Sequence, residues 1–243
     1  MKLSTLLALV GLASTTPTHL HLLSRRDDCS AVDLVGLAAS VPDTIEGTLM
    51  LQWQPYLYVV DGCVPFPAVD STGCTSAGLS PSGDPSGDCD SSTGQVYARA
   101  EEYNGAYAIM YSWYFPKDEP SWLESVVGVG HRYDWEDCVV WLSEASTDAT
   151  LLGVSVSYHG DYQTSTDPAL SGDHPLIKYY SAYSILDHSM GFTSTVGGMQ
   201  PLVAWESLST TVQSALADKD WGDANVPFID SNFEANLAEA VLS

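Results

Sequence analysis

Positive charge is the scarcest property of this chain. Its 243 residues carry 8 Lys and Arg against 31 Asp and Glu, a formal net charge of -23 at pH 7. Phosphate backbones are held by clustered Lys and Arg, so no nucleic acid partner is expected. Docking on anionic lipid by electrostatics alone is disfavoured for the same reason. Contact with a negative surface would need a cation between the two, or a neutral sugar headgroup as the target. Taken alone, the acidity does no more than keep a secreted protein soluble. The five cysteines include no C-x-x-C pair, which argues against a zinc ribbon or a thioredoxin motif. There is no G-x-S-x-G elbow, and no internal repeat. No apolar run, the N-terminal one included, is long enough to cross a bilayer as a helix.

Lys2 precedes an apolar run from Leu3 to Ala13 that fits the hydrophobic region of a signal peptide. Ser24-Arg25-Arg26, followed by Asp27-Asp28-Cys29, reads as a dibasic pro-segment cleavage site. The expected organisation is a signal peptide and short pro-segment over 1–26 and a single domain over 27–243, secreted and extracellular. Removing 1–26 takes away Lys2, Arg25 and Arg26 and no acidic residue. Cysteines in an oxidising compartment default to disulfides. With Cys29, Cys63, Cys74, Cys89 and Cys138 the count is odd, so at least one thiol is free or pairs between chains. Cys138 sits in the apolar run Cys138-Val139-Val140-Trp141-Leu142 and fits a buried free thiol.

Hydrophobic residues make up 45% of the chain, with 7 Trp, 13 Tyr and 5 Phe, enough to build a core and exclude the disordered class. Strands are expected at Leu57–Val60, Ala106–Phe115 (ending at Pro116), Trp135–Leu142 and Thr150–Tyr158. These runs are apolar on both faces and lack the polar stripe of a surface helix. Helical patterns run from Ser30 to Ala39, from Trp205 to Leu216 with Ser207 and Ser209 as caps, and from Ser231 to Leu242, where Phe233, Leu237 and Val241 share a face. Residues 71–95, rich in Ser, Gly, Asp, Thr and Pro, read as a long loop tied down by Cys74 or Cys89. The fold class that follows is mainly β: a central β-sandwich with a few peripheral helices.

Acids and imidazoles concentrate in three segments. They are Phe115-Pro116-Lys117-Asp118; the heptapeptide Gly130-His131-Arg132-Tyr133-Asp134-Trp135-Glu136; and Tyr158-His159-Gly160-Asp161 together with Leu186-Asp187-His188. In a regular strand Asp134 and Glu136 point to one face, and His131 to the other unless Gly130 marks a loop that turns it round. If the strand ending at Pro116 pairs with the one beginning near Trp135, Asp118 and Asp134 meet at one end of the sandwich. Two carboxylates held close repel; a hard cation with oxygen ligands and water relieves that repulsion, which favours Mg²⁺ or Ca²⁺ over zinc. The bland alternatives are a surface pairing of Asp134 with Arg132 or Lys117, worth about 0–1 kcal/mol, a hydrogen-bonded loop role for His131, and a core role for Trp135. A glycan hydrolase using Asp134 and Glu136 is disfavoured. Acids two apart on one strand do not flank a scissile bond from opposite sides.

Tyr107-Ala108-Ile109-Met110-Tyr111-Ser112-Trp113-Tyr114-Phe115-Pro116-Lys117-Asp118, followed by Gly-His-Arg-x-Asp-Trp-Glu, resembles the signature of the necrosis- and ethylene-inducing peptide-like proteins. Gly62-Cys63-Val64-Pro65-Phe66-Pro67-Ala68-Val69-Asp70, Gln95-Val96-Tyr97, Pro201–Glu206 and Trp221–Phe228 extend the likeness over roughly Gln52 to Leu242. The resemblance implies a β-sandwich like that of actinoporins and some fungal lectins. It implies a toxin, not an enzyme: a cytolysin that binds the sugar headgroup of plant plasma-membrane sphingolipid (glycosylinositol phosphorylceramide) with a bound divalent cation. In that comparison Asp118 and Asp134 match the metal-holding acids, His131 and Glu136 act through metal-bound water, and Asp187 matches a further acid of the site. Cys63 and Cys89 match a shared disulfide. The Ala108–Glu136 segment overlaps a pattern read by a plant immune receptor, and the protein is expected to be a monomer. The chain departs from the family at Tyr133, where a second His is usual, and near Ser184, where an aromatic is usual and Tyr183 stands beside it. Some family members are not cytotoxic. The alternative is therefore a lectin-like sugar or sphingolipid binder.

Overall fold

The computed structural model describes residues 28–119, 130–181 and 188–242. The signal-peptide and pro-segment expectation for 1–26 lies outside them. Two sheets form the body. The larger has six strands in the order β10-β2-β3-β4-β5-β6: Leu202–Ala204, Val96–Tyr103, Ala106–Phe115, Asp134–Leu142, Leu151–Tyr158 and Asp161–Ser165. All its neighbours are antiparallel except β10 and β2. The smaller sheet joins β1 (Tyr56–Val59), β8 (His174–Ser181) and β7 (Leu170–Ser171), with β9 (His188–Phe192) also paired to β8.

The central strands β3 and β4 are buried along nearly their whole length because both faces of the larger sheet are covered. One face meets the smaller sheet, where Phe115 of β3 stacks on Tyr179 of β8 with ring centroids 3.8 Å apart. On the other face Tyr97, Tyr114 and Trp135 pack with Trp221 and Phe228 from the chain between two helices. Those helices are α2 (Thr210–Asp218) and α3 (Phe233–Glu239); α1 is Ile45–Gln52. Double coverage is why these strands read as continuous apolar runs with no alternation.

The mainly-β expectation stands, and the structure corrects it in three places. Ser30–Ala39 is not a helix. Within it Leu37 N–H donates to the Gln95 side chain, and the residues at either side are tied to distant partners, Cys29 to Thr75 and Ala77 and Ser40 to Leu202 and Ala204. Val32 and Val35, which a helix would have turned inward, are exposed. The Trp205–Leu216 helix divides into a 3₁₀ turn at Trp205–Ser207 and α2, capped by Ser209, whose hydroxyl accepts from Val212 N–H. The last helix closes at Glu239, so Val241 leaves the face shared by buried Phe233 and Leu237. The polar loop over 71–95 is held through both cysteines, by Cys29–Cys74 and Cys63–Cys89, and Cys138 is a buried free thiol.

Candidate metal centre

β3 and β4 pair so that Phe115 lies opposite Asp134. Just past the end of β3, Asp118 and His131 form an isolated antiparallel bridge, with Asp118 N–H donating to His131 O (2.9 Å) and His131 N–H to Asp118 O (3.1 Å). Gly130 permits this return. Its φ is +107°, a region that favours glycine, and a Cβ there would lie 2.8 Å from the Asp118 carbonyl oxygen. The bridge carries His131 to the side on which Asp134 lies, resolving the strand alternation that would have separated them. One donor atom from each of Asp118, His131 and Asp134 falls within 4.8 Å of the others.

Neighbouring groups fix each donor. His131 Nδ1 donates to the Tyr133 carbonyl oxygen (2.6 Å), which leaves Nε2 facing the cluster, 3.6 Å from Asp118 Oδ2. Asp118 accepts from the backbone N–H of His188 (2.8 Å) and pairs with its Nδ1 (2.6 Å). His188 Nε2 reaches Asp61 Oδ1 at 3.1 Å. Gly62 lies against this imidazole: φ is +77°, and a Cβ would stand 2.6 Å from Nε2. Tyr179 donates its hydroxyl to Asp134 Oδ2 (2.8 Å) and stacks on the His188 ring.

Burial, reinforced by the charge of Asp118, pushes the Asp134 carboxyl up to about 7. Burial and Asp134 together hold Glu136 well above the usual carboxylate range, against the pull of Ser157. At His188 burial opposes the charge, but Asp118 and Asp61 outweigh it and hold the pKa at about 9. Three buried carboxylates near one imidazolium leave the pocket short of positive charge, a deficit that a divalent cation would fill.

Of the residues expected at the site, Asp118, His131 and Asp134 come together. Glu136 lies on the same face two residues on and is not within that cluster; it takes a hydrogen bond from Ser157 Oγ. Asp187 lies outside the described residues. Sequence reasoning missed His188, Asp61 and Tyr179. His188 had a signal, since it belongs to the Leu-Asp-His segment already singled out. Asp61 and Tyr179 had none, because they arrive from the smaller sheet by tertiary packing. Arg132 is exposed on the heptapeptide, and Trp135 belongs to the core with its ring against Trp221.

Tyr133 is not at the cation cluster. It shares the face of Trp135, and its ring packs edge-on against Trp221 (5.3 Å) and beside Tyr114 (6.4 Å), with Lys219 Nζ 4.9 Å from its centre. Position 133 serves the site through its backbone carbonyl, which any residue supplies. Asp134, Glu136 and His188 also line an open cleft of about 590 Å³.

The Necrosis inducing protein (NPP1) family matches residues 47–240. The chain belongs to this family. It is 45% identical over 212 residues to NLP effector protein 1 of Phytophthora capsici, covering 85% of this chain and 88% of that relative. Among solved structures it is similar to NLPPya crystallised with mannosamine (40% identity, TM-score 0.82, 89% of this chain and 100% of that one), a protein also crystallised with glucosamine. It is equally similar in fold to the non-toxic HaNLP3 protein (36% identity, TM-score 0.82, 87% and 99% coverage). The chain thus shares its fold both with a structure described as a toxin fold for microbial attack and plant defense and with the non-toxic HaNLP3 protein.

Proposed function

We propose that this protein is a secreted cytolysin that binds the sugar headgroup of plant plasma-membrane sphingolipids through a divalent cation and damages the membrane. The observation that carries the reading is the Asp118–His131–Asp134 cluster, of which His131 and Asp134 line an open cleft rich in acids. The donor set suits Mg²⁺ or Ca²⁺: two carboxylates and one imidazole, with room for water in the remaining positions. Such a cation would neutralise the acids and offer vacant positions to sugar hydroxyls, uncharged groups that a chain of net charge -23 approaches without repulsion. Glu136 and His188 would orient the water around it. The hexosamine complexes of the relative NLPPya support a sugar as the ligand. No bond need be broken, and the protein acts by binding rather than as an enzyme. The N-terminal segment and the relatives named as effectors support secretion, and the three clustered donors all come from one chain. A plant immune receptor reading Ala108–Glu136 would meet it as a released peptide, since β3 and the start of β4 are buried.

The experiment is leakage of vesicles containing plant glycosylinositol phosphorylceramide, with Ca²⁺ or Mg²⁺ and after EDTA. Leakage should require the cation and be lost in Asp134→Asn. Vesicles that stay sealed with cation present would overturn the lytic reading. The non-toxic HaNLP3 relative favours a second reading, a lectin-like binder. Cation-dependent attachment to the same vesicles without leakage identifies it.

A further inference from the structure

Among the described residues three hairpins have two-residue turns; in two of them both turn residues have positive φ, and those two differ in one residue. Between β2 and β3, Tyr103 pairs with Ala106 around Asn104-Gly105, both at positive φ (+51° and +84°). Between β5 and β6, Tyr158 pairs with Asp161 around His159-Gly160, again both positive (+51° and +79°). Asn-Gly is the favoured sequence for such a turn, because Asn tolerates the left-handed conformation. His159 occupies the same conformation less comfortably, and residues held so tend to serve a ligand or a switch. The Asn-Gly turn is not part of the cleft wall, whereas Tyr158, His159 and Asp161 all line it.

The hairpin is fixed relative to the candidate metal centre. His159 N–H donates to Ser189 Oγ (3.3 Å), the residue after His188 on β9. The His159 ring meets Tyr158 edge-on, with centroids 4.5 Å apart, and gives the cleft mouth an aromatic wall. The rest of the lining includes Asp223, Asn225 and Asn236, groups that give and accept hydrogen bonds as sugar hydroxyls do. Among the described residues no Lys or Arg lines it. A cleft of about 590 Å³ is in the range that encloses drug-sized ligands, and is larger than one hexose ring requires.

We infer that the Tyr158–Asp161 hairpin, together with Asn225 and Asn236, forms a subsite for a second pyranose, beyond the one placed over the cation. The inference rests on the sugar-binding reading above and adds the length of headgroup recognised. His159 is the specificity residue of this subsite, its imidazole taking the place of the turn's preferred Asn.

Calorimetry with glucosamine and with its α-1,4 and β-1,4 dimers, in Ca²⁺ and in EDTA, tests this. The wild-type protein should bind at least one dimer about tenfold more tightly than the monomer, the gain from one further ring's contacts. In His159→Asn that advantage should fall towards onefold while Tm stays equal or rises, because Asn suits the turn. His159→Gly, which also suits it, should behave alike. A merely structural role would predict the opposite pattern, a changed Tm with the dimer advantage intact. The inference is overturned if neither dimer exceeds the monomer, or if both variants keep the advantage. Monomer binding that needs Ca²⁺ but shows no dimer gain overturns this subsite alone. Failure of every sugar to bind overturns both this subsite and the headgroup reading on which it rests.

Discussion

Tyr133→His would give the heptapeptide the second histidine more usual in the family, and the structure sets what that change does. The ring lost is one that packs on Trp221 and Tyr114 and lies under Lys219 Nζ. An aromatic pair is worth about 0.5–1.5 kcal/mol beyond its burial, and a cation–π contact about 0.5–2 kcal/mol depending on how far it is covered. Histidine recovers part of each, so a loss of about 1–2 kcal/mol is expected, a fall of a few degrees in Tm for a domain of this size. The cation affinity should hardly move. What position 133 gives the cluster is the carbonyl that accepts from His131 Nδ1, and the substitution leaves it in place. Scanning calorimetry and Ca²⁺ titration on the same preparations check the two halves. A change in Ca²⁺ affinity above about tenfold with an unchanged Tm, equivalent to about 1.4 kcal/mol placed at the cation alone, would refute the reasoning, because the side chain at 133 would then reach the site. Vesicle leakage should likewise neither appear nor vanish with this substitution.

Two further outcomes are expected. Metal-free protein should lose stability as pH rises from 5 to 9. Asp134 and Asp137 titrate at about 7 when folded, pushed up by burial, with Asp118 adding to the effect at Asp134, and His188 at about 9. All three bind protons more tightly folded than unfolded. Their contribution is therefore complete below the unfolded values and is lost as pH passes through the folded ones, at about 1.4 kcal/mol per unit of difference. Asp61 and Asp70, held below the usual range, act only in more acid solution. Thermal unfolding in EDTA should show the fall and added Ca²⁺ at pH 8 should reverse much of it; a Tm that is flat or rising across that window would contradict it. Cys138 should resist a thiol reagent in the native protein and react as one thiol per chain after unfolding without reductant, since it is fully buried while the other four cysteines are bonded; a rapid native reaction would contradict its burial.

Much of the body of the fold was legible because its strands advertise themselves. Ala106–Phe115 and Asp134–Leu142 are apolar on both faces, bounded by Pro116 and the heptapeptide, and β3 has the expected bounds. The strands that carry charge were missed. Val96–Tyr103 includes Arg99, Glu101 and Glu102, and His174–Ser181 includes Lys178, because one end of each lies toward solvent. The supposed helix at Ser30–Ala39 failed for the converse reason: its pattern was local, while Leu37 and the flanking Cys29 and Ser40 bond with Gln95, Thr75 and Leu202, far along the chain.

The candidate site divides the same way. By itself the sequence determined the chemistry available: paired acids and a histidine in two short segments, a chain too acidic for anionic partners, and motifs that place it in its family. Pairing of two long apolar strands was enough to bring Asp118 and Asp134 to one end, because a ladder fixes register over its whole length. Only the tertiary structure decided what surrounds them. It turned His131 inward through a bridge at Gly130, brought His188, Asp61 and Tyr179 from the second sheet, and sent the Tyr133 ring to the aromatic layer on the opposite face. The physical reason is that a strand's alternation says which side chains share a face. What that face meets depends on layers that pack from elsewhere in the chain.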